Sequence, residues 1–210
     1  MSARAALIAV RRAVGLPLAL LARTAPSRAA FDRDVRRFQQ PRLDLPLPEA
    51  IGFTDVLEAV RHREVRSVLY LRLQHDGGPW ALAGATLSRL FPGQVALTFN
   101  CPEIGPGMYV SHGFATIVVA QRIGEDCLMS QQVTIGFSDR GGPPVLGDRV
   151  RVGAGAMVLG PIHVGDDAVV GAGAVVVKDV PAGAVVAGVP ARVVEHAEDR
   201  FSALRRTPPA

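Results

Sequence analysis

The chain predicts a mainly β protein: a parallel β-helix built on a six-residue repeat, preceded by a small α-helical N-terminal region. Three observations carry this. Aliphatic residues recur every six positions at Leu146, Val152, Val158, Val164, Val170 and Val176, and an earlier run, Ile117, Ile123, Met129 and Ile135, keeps the same step. A small residue follows four places later at Cys127, Ala156, Ala168 and Ala174. The valine-rich runs also lack the intervening helices of about ten residues that a parallel α/β sheet requires. Each hexad then supplies one short strand whose aliphatic side chain points into a prism, and about three hexads, ~18 residues, close a triangular coil. Glycines supply the positive-φ conformations that tight corners need.

Ahead of the repeat, residues 1–27 read as a basic, flexible leader. The first 31 residues hold five arginines and no acidic residue, and the apolar stretch GLPLALLA is interrupted by Pro17. That stretch is too short to span a bilayer. With no small-residue cleavage site behind it, a signal peptide fits poorly, and a segment touching an anionic membrane surface fits better. Residues 28–94 read as a helical domain. FTDVLEAVRHREVRSVLYLRLQ offers Thr54 or Asp55 as an N-cap, Glu58 three residues after Asp55, and an inward face of Val56, Leu57, Val60, Val68, Leu69 and Leu73. PWALAGATLSRLF, between Pro79 and Pro92, reads as a short helix with proline in its first turn. His62 and His75, near charged or turn residues, read as solvated side chains. Residues 95–194 form the β-helix and 195–210, with His196, a polar tail.

Composition narrows the function classes. The formal net charge is +4, and Lys178 is the one lysine among 23 basic residues. The arginines are neither clustered on a recognition motif nor interleaved with aromatics, so nucleic acid is not an expected partner. Cys101 and Cys127 lack CxxC or metal-ligand spacing, which argues against a disulfide scaffold or zinc site and for reduced, buried thiols in a cytoplasmic protein.

A regular prism has no pocket, so a functional site belongs where the period breaks. The step from Ile104 to Val110 is six, but from Val110 to Ile117 it is seven, which puts one extra residue in SHGFAT around His112. From Ile135 to Leu146 the step is eleven, where two hexads give twelve, across the glycine and proline loop GFSDRGGPP. Interruptions re-aim side chains, which makes His112 a candidate catalytic base rather than a structural histidine. His163 precedes an inward Val164 and is expected to face solvent.

GMYVSHGFATIVVAQRIGEDCLMSQQVTIG, followed by VLGDRVRVGAGAMVLGPIHVGDDAVVGAGAVVVKDVPAGAVVAGVPARVV, resembles the hexapeptide-repeat acyltransferases, in particular the serine O-acetyltransferase branch and its polysaccharide-biosynthesis relatives. The likeness runs over about residues 100–194. It implies a left-handed β-helix, a homotrimer or a hexamer of paired trimers, acetyl-CoA held in the groove between prisms, no metal, and direct acetyl transfer to a hydroxyl without an acyl-enzyme. By motif position His112 matches the general base. A neutral imidazole can accept the hydroxyl proton as oxygen attacks the thioester, a contribution of ~10²–10⁴-fold. Ala154 in VGAGAM and Ala172 in VGAGAVV match positions whose backbone holds the pantetheine arm. Lys178 in VVVKDVPAG matches the basic residue at the coenzyme phosphates, where an ammonium serves as a point charge. AGVPARVV resembles the last turn closing the prism.

On the acceptor side the chain departs from serine acetyltransferases. Ser111 stands where that branch has Asp before the base. Gly142, Pro143 and Pro144 stand at its Arg-His-Pro motif, and Leu97 at its carboxylate partner. A free amino acid presents an ammonium and a carboxylate that each call for an opposite charge, whereas a sugar hydroxyl does not. The SDRGG loop approaches one in the polysaccharide-type relatives. Ser111, Asn100, Glu103, Asp139 and Arg140 are the candidate polar groups for the acceptor, which stays open between serine and a sugar. Two other readings stand beside these. A zinc enzyme resembling γ-type carbonic anhydrases needs three histidines across a subunit interface, and the repeat offers His112 and His163. A non-catalytic scaffold predicts no coenzyme binding.

Overall fold

The computed structural model describes residues 15–41, 47–48, 50–139 and 141–196. They divide into two units: residues up to Val95 with Pro106–Val110, and Ala96–Gly105 with the residues from Ser111 onward.

The first unit is helical. Residues 15–24 are helical (α1) and are followed by α2 (Arg28–Gln39), α3 (Phe53–Ala59), α4 (Arg63–Asp76) and α5 (Gly78–Leu90). Its core unites Leu18, Ala19 and Ala22 of α1 with Phe31, Val35, Val56, Val60, Val65, Leu69 and Leu73. This corrects the expectation of a flexible leader through residue 27. GLPLALLA forms about two turns of amphipathic helix whose Leu18, Ala19 and Ala22 side chains enter the core, while residues 1–14 lie outside the described residues.

The single helix expected over residues 53–74 is two. His62 is extended (φ −83°, ψ 133°), and Nη1 of Arg66 donates to the carbonyl oxygens of Val60 and Arg61, both at 3.0 Å. Those carbonyls would otherwise seek donors one turn further along, so the guanidinium closes α3 and lets α4 start afresh. The N-cap of α3 is Gly52, neither Thr54 nor Asp55. Asp55 sits three positions inside the helix and accepts from the Gly52 amide at 2.7 Å. The helix expected between Pro79 and Pro92 is present as α5.

Among the described ion pairs of this unit, one is buried. Asp34 of α2 and Arg72 of α4 are 3% and 4% exposed, and Nε and Nη2 of Arg72 each donate to a separate Asp34 oxygen at 2.9 Å. Asp34 Oδ1 also accepts from the amides of Gly107 and Met108, both at 2.8 Å, just before the short strand β3 (Tyr109–Val110). Burial pushes the Asp34 carboxyl above its ordinary pKa. The Arg72 charge and hydrogen bonds and the two amides pull it back down. Because every one of these partners is a donor, the arrangement suits a carboxylate. Removing one side of such a pair strands a buried charge, at a cost of ~3–5 kcal/mol.

The second unit is the β-helix. One face stacks β1 (Leu97–Asn100), β4 (Thr116–Val119), β7 (Thr134–Gly136), β10 (Met157–Leu159) and β13 (Val175–Val176) in parallel. A second stacks β2 (Glu103–Ile104), β5 (Arg122–Ile123), β8 (Val145–Leu146) and β11 (His163–Val164). The third runs through β6 (Leu128–Met129), β9 (Arg151–Val152), β12 (Val169–Val170) and β14 (Ala184–Ala187). There β15 (Arg192–His196) pairs antiparallel with β14 and closes the end, so the ordered prism runs two residues beyond 194.

The inward ladder is the one the period predicts. Ile123, Met129, Ile135, Leu146, Val152, Val158, Val164, Val170 and Val176 are all 0–2% exposed, and the small sites Cys127, Ala156, Ala168 and Ala174 are 0% exposed. Each buried aliphatic contributes ~1.5–3 kcal/mol of transfer free energy. Where the chain turns from the second face toward the third, coils press backbone on backbone. A Cβ on Gly105 would lie 2.6 Å from the Gly124 carbonyl carbon, and one on Gly165 would lie 2.5 Å from the Ala182 nitrogen. That close approach is why glycine follows the aliphatic residue at this corner.

Ile117 is the exception, at 50% exposure; Val118 is the inward residue, at 0%. It stands in register with Phe99 below and Ile135 above.

Both cysteines are buried, as expected: Cys101 is 3% and Cys127 0% exposed. Burial pushes both thiols up, Cys127 to about 12. A raised pKa keeps the unreactive thiol form at pH 8. Ellman's reagent should therefore leave both cysteines untouched in the native protein at pH 8 and titrate two thiols after guanidinium unfolding. A fast native reaction at Cys127 would contradict its place in the core.

Candidate functional site

The corrected ladder redraws both interruptions. From Val110 to Val118 the inward step is eight, and from Val118 to Ile123 it is five, so SHGFAT carries two extra residues and the next corner gives one back. Ile135 and Leu146 are successive inward positions on adjacent faces, so GFSDRGGPP adds five residues to one hexad rather than removing one from two. Added residues cannot enter a packed prism, and they are extruded at its corners.

The first extrusion makes a three-residue turn. The Gly113 amide donates to the Ser111 carbonyl at 2.8 Å, and His112 sits at the centre with φ +63° and an exposed side chain. A non-glycine residue held in this region costs on the order of 1–3 kcal/mol and persists only where its surroundings enforce it. Two anchors flank the turn. The Ser111 amide donates to the Met129 carbonyl at 2.8 Å, and the Gln132 amide to the Phe114 carbonyl at 3.0 Å. Beneath lies Thr116, 0% exposed at the small inward site, with its hydroxyl 3.3 Å from the Phe114 carbonyl oxygen and 3.4 Å from that of Ser130. Sequence reading missed Thr116 because the ladder was drawn through Ile117. A polar residue two places before Val118 was the signal available.

Successive coils repeat this corner. Amide-to-carbonyl bonds run from Thr116 to Ala96, Gln132 to Phe114, Gly155 to Gln131 and Gly173 to Ala154, at 2.8–3.0 Å. Ser111, His112, Ala154 and Ala172 therefore lie along one edge of the prism, with Ala154 half-buried and Ala172 exposed. Spacing coils ~4.8 Å apart sets the Ala154 storey about 10 Å, and the Ala172 storey about 14 Å, from that of Phe114.

The other candidates occupy a different edge, where the first face turns into the second. The Ala120 amide donates to the Asn100 carbonyl at 3.2 Å and the Gln121 amide to the Pro144 carbonyl at 2.9 Å. Asn100, Asp139 and Lys178 are all exposed on this side. Lys178 therefore does not join Ala154 and Ala172 within one chain; the whole first face separates them. Arg140 lies outside the described residues. Leu97 is half-buried at the start of β1, and His163 is exposed, as its position before Val164 predicts.

The first face itself is apolar outward. Ile117 and Met157 are 50% and 42% exposed and, with Thr98, Thr134 and Val175, share one register across the strands. Phe114 and Phe137 stand exposed at its two edges. Among the described residues no group of three or more His, Cys, Asp or Glu stands together to hold a metal ion, and no helix is long and apolar enough to cross a membrane.

Residues 143–178 match the family model for the bacterial transferase hexapeptide (six repeats). The chain is 46% identical over 106 residues to a serine acetyltransferase of Synechocystis sp., covering 49% of this chain and 43% of that protein. It is 42% identical over 95 residues to one of Mycobacterium tuberculosis, covering 43% and 42%. Among solved structures, soybean serine acetyltransferase complexed with serine is 30% identical with a TM-score of 0.55, covering 80% of this chain and 69% of that one. The matched region spans less than half the length of these two curated relatives.

Thr116→Val keeps the volume of the inward site and removes its hydroxyl from the Phe114 and Ser130 carbonyls. It should lower unfolding free energy by about 1 kcal/mol in urea titrations. An unchanged midpoint would mean that the hydroxyl contributes nothing.

Proposed function

We propose that this hexapeptide-repeat chain is an acetyl-CoA-dependent O-acetyltransferase of the serine acetyltransferase kind, working as a homotrimer. The observation that carries the reading is the edge that aligns the extruded His112 turn with the small-residue storeys of Ala154 and Ala172. Small side chains there leave room for a thin, extended ligand to lie against backbone groups, and the strained turn presents an imidazole at one end of that track. The likeness to serine acetyltransferases supports the same chemistry.

In this mechanism the neutral His112 imidazole accepts the acceptor's hydroxyl proton while the oxygen attacks the thioester carbonyl carbon. The tetrahedral intermediate collapses by breaking its C–S bond. The coenzyme leaves as a thiolate that takes up the proton from the imidazolium, which returns His112 to its starting state. No acyl-enzyme forms, and no nucleophilic side chain of the protein is needed. Lys178 serves the coenzyme phosphates as a point charge. A cytoplasmic location suits acetyl-CoA as donor.

Lys178 and Asp139 lie on the far edge of the first face, and a threefold assembly reconciles this. In a closed ring of three prisms, one edge of each copy meets a different edge of the next. A site built from His112 of one copy and Lys178 of its neighbour then needs no single chain to hold both. The outward Ile117 and Met157, with Phe114 and Phe137 at the borders, are the kind of exposed apolar patch that subunit contacts cover.

Serine is the first acceptor. A sugar hydroxyl is the second reading, favoured by Ser111, Leu97 and Gly142–Pro144, none of which offers charge to an amino acid's ammonium or carboxylate.

Coenzyme release from acetyl-CoA, followed with serine and with a panel of sugars, should show one acceptor class turning over. His112→Ala should lower kcat by ~10²–10⁴-fold. Full turnover in that variant would remove His112 from the mechanism, and the absence of turnover or coenzyme binding with every acceptor would favour a scaffold. Met157→Asp places a charge on the first face without touching the inward ladder. It should shift the mass seen by light scattering from trimer to monomer and abolish turnover. A trimer that persists would move the interface elsewhere.

A further inference from the structure

The acetyl transfer proposed above puts negative charge on the oxygen of its tetrahedral intermediate, and a hydrogen-bond donor aimed at that oxygen is among the largest stabilisations a site can offer. Gln132 is placed to be that donor. At the corner that carries the His112 turn, each coil sets one residue in the left-handed region: Ala96 (φ +56°), Ala115 (φ +51°), Gln132 (φ +59°), Gly155 (φ +69°) and Gly173 (φ +68°). The alanines and glycines end at a methyl group or have no side chain. Gln132 carries a carboxamide, and it is exposed. Among the described residues that carboxamide has no hydrogen-bond partner.

Backbone bonds fix its height along the edge. The Gln132 amide donates to the Phe114 carbonyl at 3.0 Å, and the Gly155 amide to the Gln131 carbonyl at 3.0 Å. Gln132 therefore stands one storey, ~4.8 Å, from the His112 turn and one storey from Ala154. A thioester lies at this level when its pantetheine arm runs along Ala172 and Ala154 and its carbonyl carbon meets an oxygen deprotonated by His112. The left-handed conformation disfavours a long side chain, and glycine occupies the same place in the next two coils. A polar side chain is thus kept where the fold is satisfied without one.

We infer that Gln132 is a catalytic residue of the transfer: its side-chain N–H donates to the thioester carbonyl oxygen and stabilises the charge that develops there. This rests on the acetyl-CoA reading of the edge. As the acceptor oxygen bonds to the carbonyl carbon, its proton passes to His112 and the carbonyl π pair moves onto oxygen, where the carboxamide meets it. As the C–S bond breaks, that pair re-forms the carbonyl of the ester product. Sulfur leaves with the bonding pair and takes the proton from His112. The carboxamide ends as it began.

Substitution in the full chain separates this role from folding and from coenzyme binding. Gln132→Gly gives the corner the residue found there at Gly155 and Gly173, so the thermal midpoint should hold or rise. Its kcat should nevertheless fall ~10²–10³-fold, the loss expected when a single oxyanion donor is removed. Gln132→Glu keeps the length but presents a carboxylate, which accepts hydrogen bonds and repels the oxyanion, and it should lose at least as much. Free CoA has no thioester carbonyl, so calorimetry should give Gln132→Gly the unaltered protein's affinity for it. The inference is overturned if Gln132→Gly keeps its kcat, or if Gln132→Glu turns over faster than Gln132→Gly. It falls equally if affinity for free CoA drops as far as kcat/KM, which makes the side chain a holder of the pantetheine arm, or if Gln132→Gly melts lower, which makes it structural. Failure of the acetyltransferase reading looks different: the unaltered protein then releases no coenzyme with any acceptor, and Gln132 loses its role along with His112.

Discussion

Each coil of the prism must lay its inward side chain on the one beneath it, and nearly everything else about the second unit follows from that demand. Parallel strands a fixed ~4.8 Å apart leave no room for a residue out of step. Val118, Ile135, Val158 and Val176 stand in one column because of it, and Ile104, Ile123, Leu146 and Val164 in another. Glycine at Gly105, Gly124, Gly147 and Gly165 is the steric counterpart, since a methyl group at those corners would run into the coil above.

A scaffold this strict puts its variability at the corners. The two extra residues of SHGFAT and the five of GFSDRGGPP leave the column undisturbed and emerge on opposite borders of the same face. The strain at His112 belongs to the same logic, because the coils on either side are rigid enough to enforce it. The same rigidity leaves Ile117 and Met157 outward on the first face, the apolar surface on which the proposed trimer would close.

The helical unit obeys a different constraint. Its core is assembled from short amphipathic helices, and its most specific contact is polar: one carboxylate shared between an arginine and two backbone amides. Such a contact stabilises only when complete, so it sets a particular arrangement rather than merely favouring compactness.

Much of this was legible in the residues. Period six, carried by Leu146 through Val176, gave away the prism because every repeat buries the same atom in the same place. His112 stood out by breaking that period. Ile117 misled for a reason of the same kind: in TIVV, two neighbouring aliphatic residues satisfy any count, and only stacking against Phe99 and Ile135 selects Val118. GLPLALLA read as a leader because proline and flanking arginines mask a short apolar face, and core residues such as Val56 and Leu69 are far away in sequence. The break at His62 was hidden because a capping arginine four residues later looks like any other arginine.

What the sequence by itself determined is the repeat, and with it the β-helix and the identity of the residue that interrupts it, because periodicity is a local property that survives without coordinates. The tertiary structure alone decided which edge each candidate occupies. It set His112 with Ala154 and Ala172, and Lys178 across the face from them, since that depends on how many residues each corner absorbs. It alone also revealed Asp34 beneath Gly107, for a buried carboxylate finds its donors through folding, over separations that no pattern along the chain records.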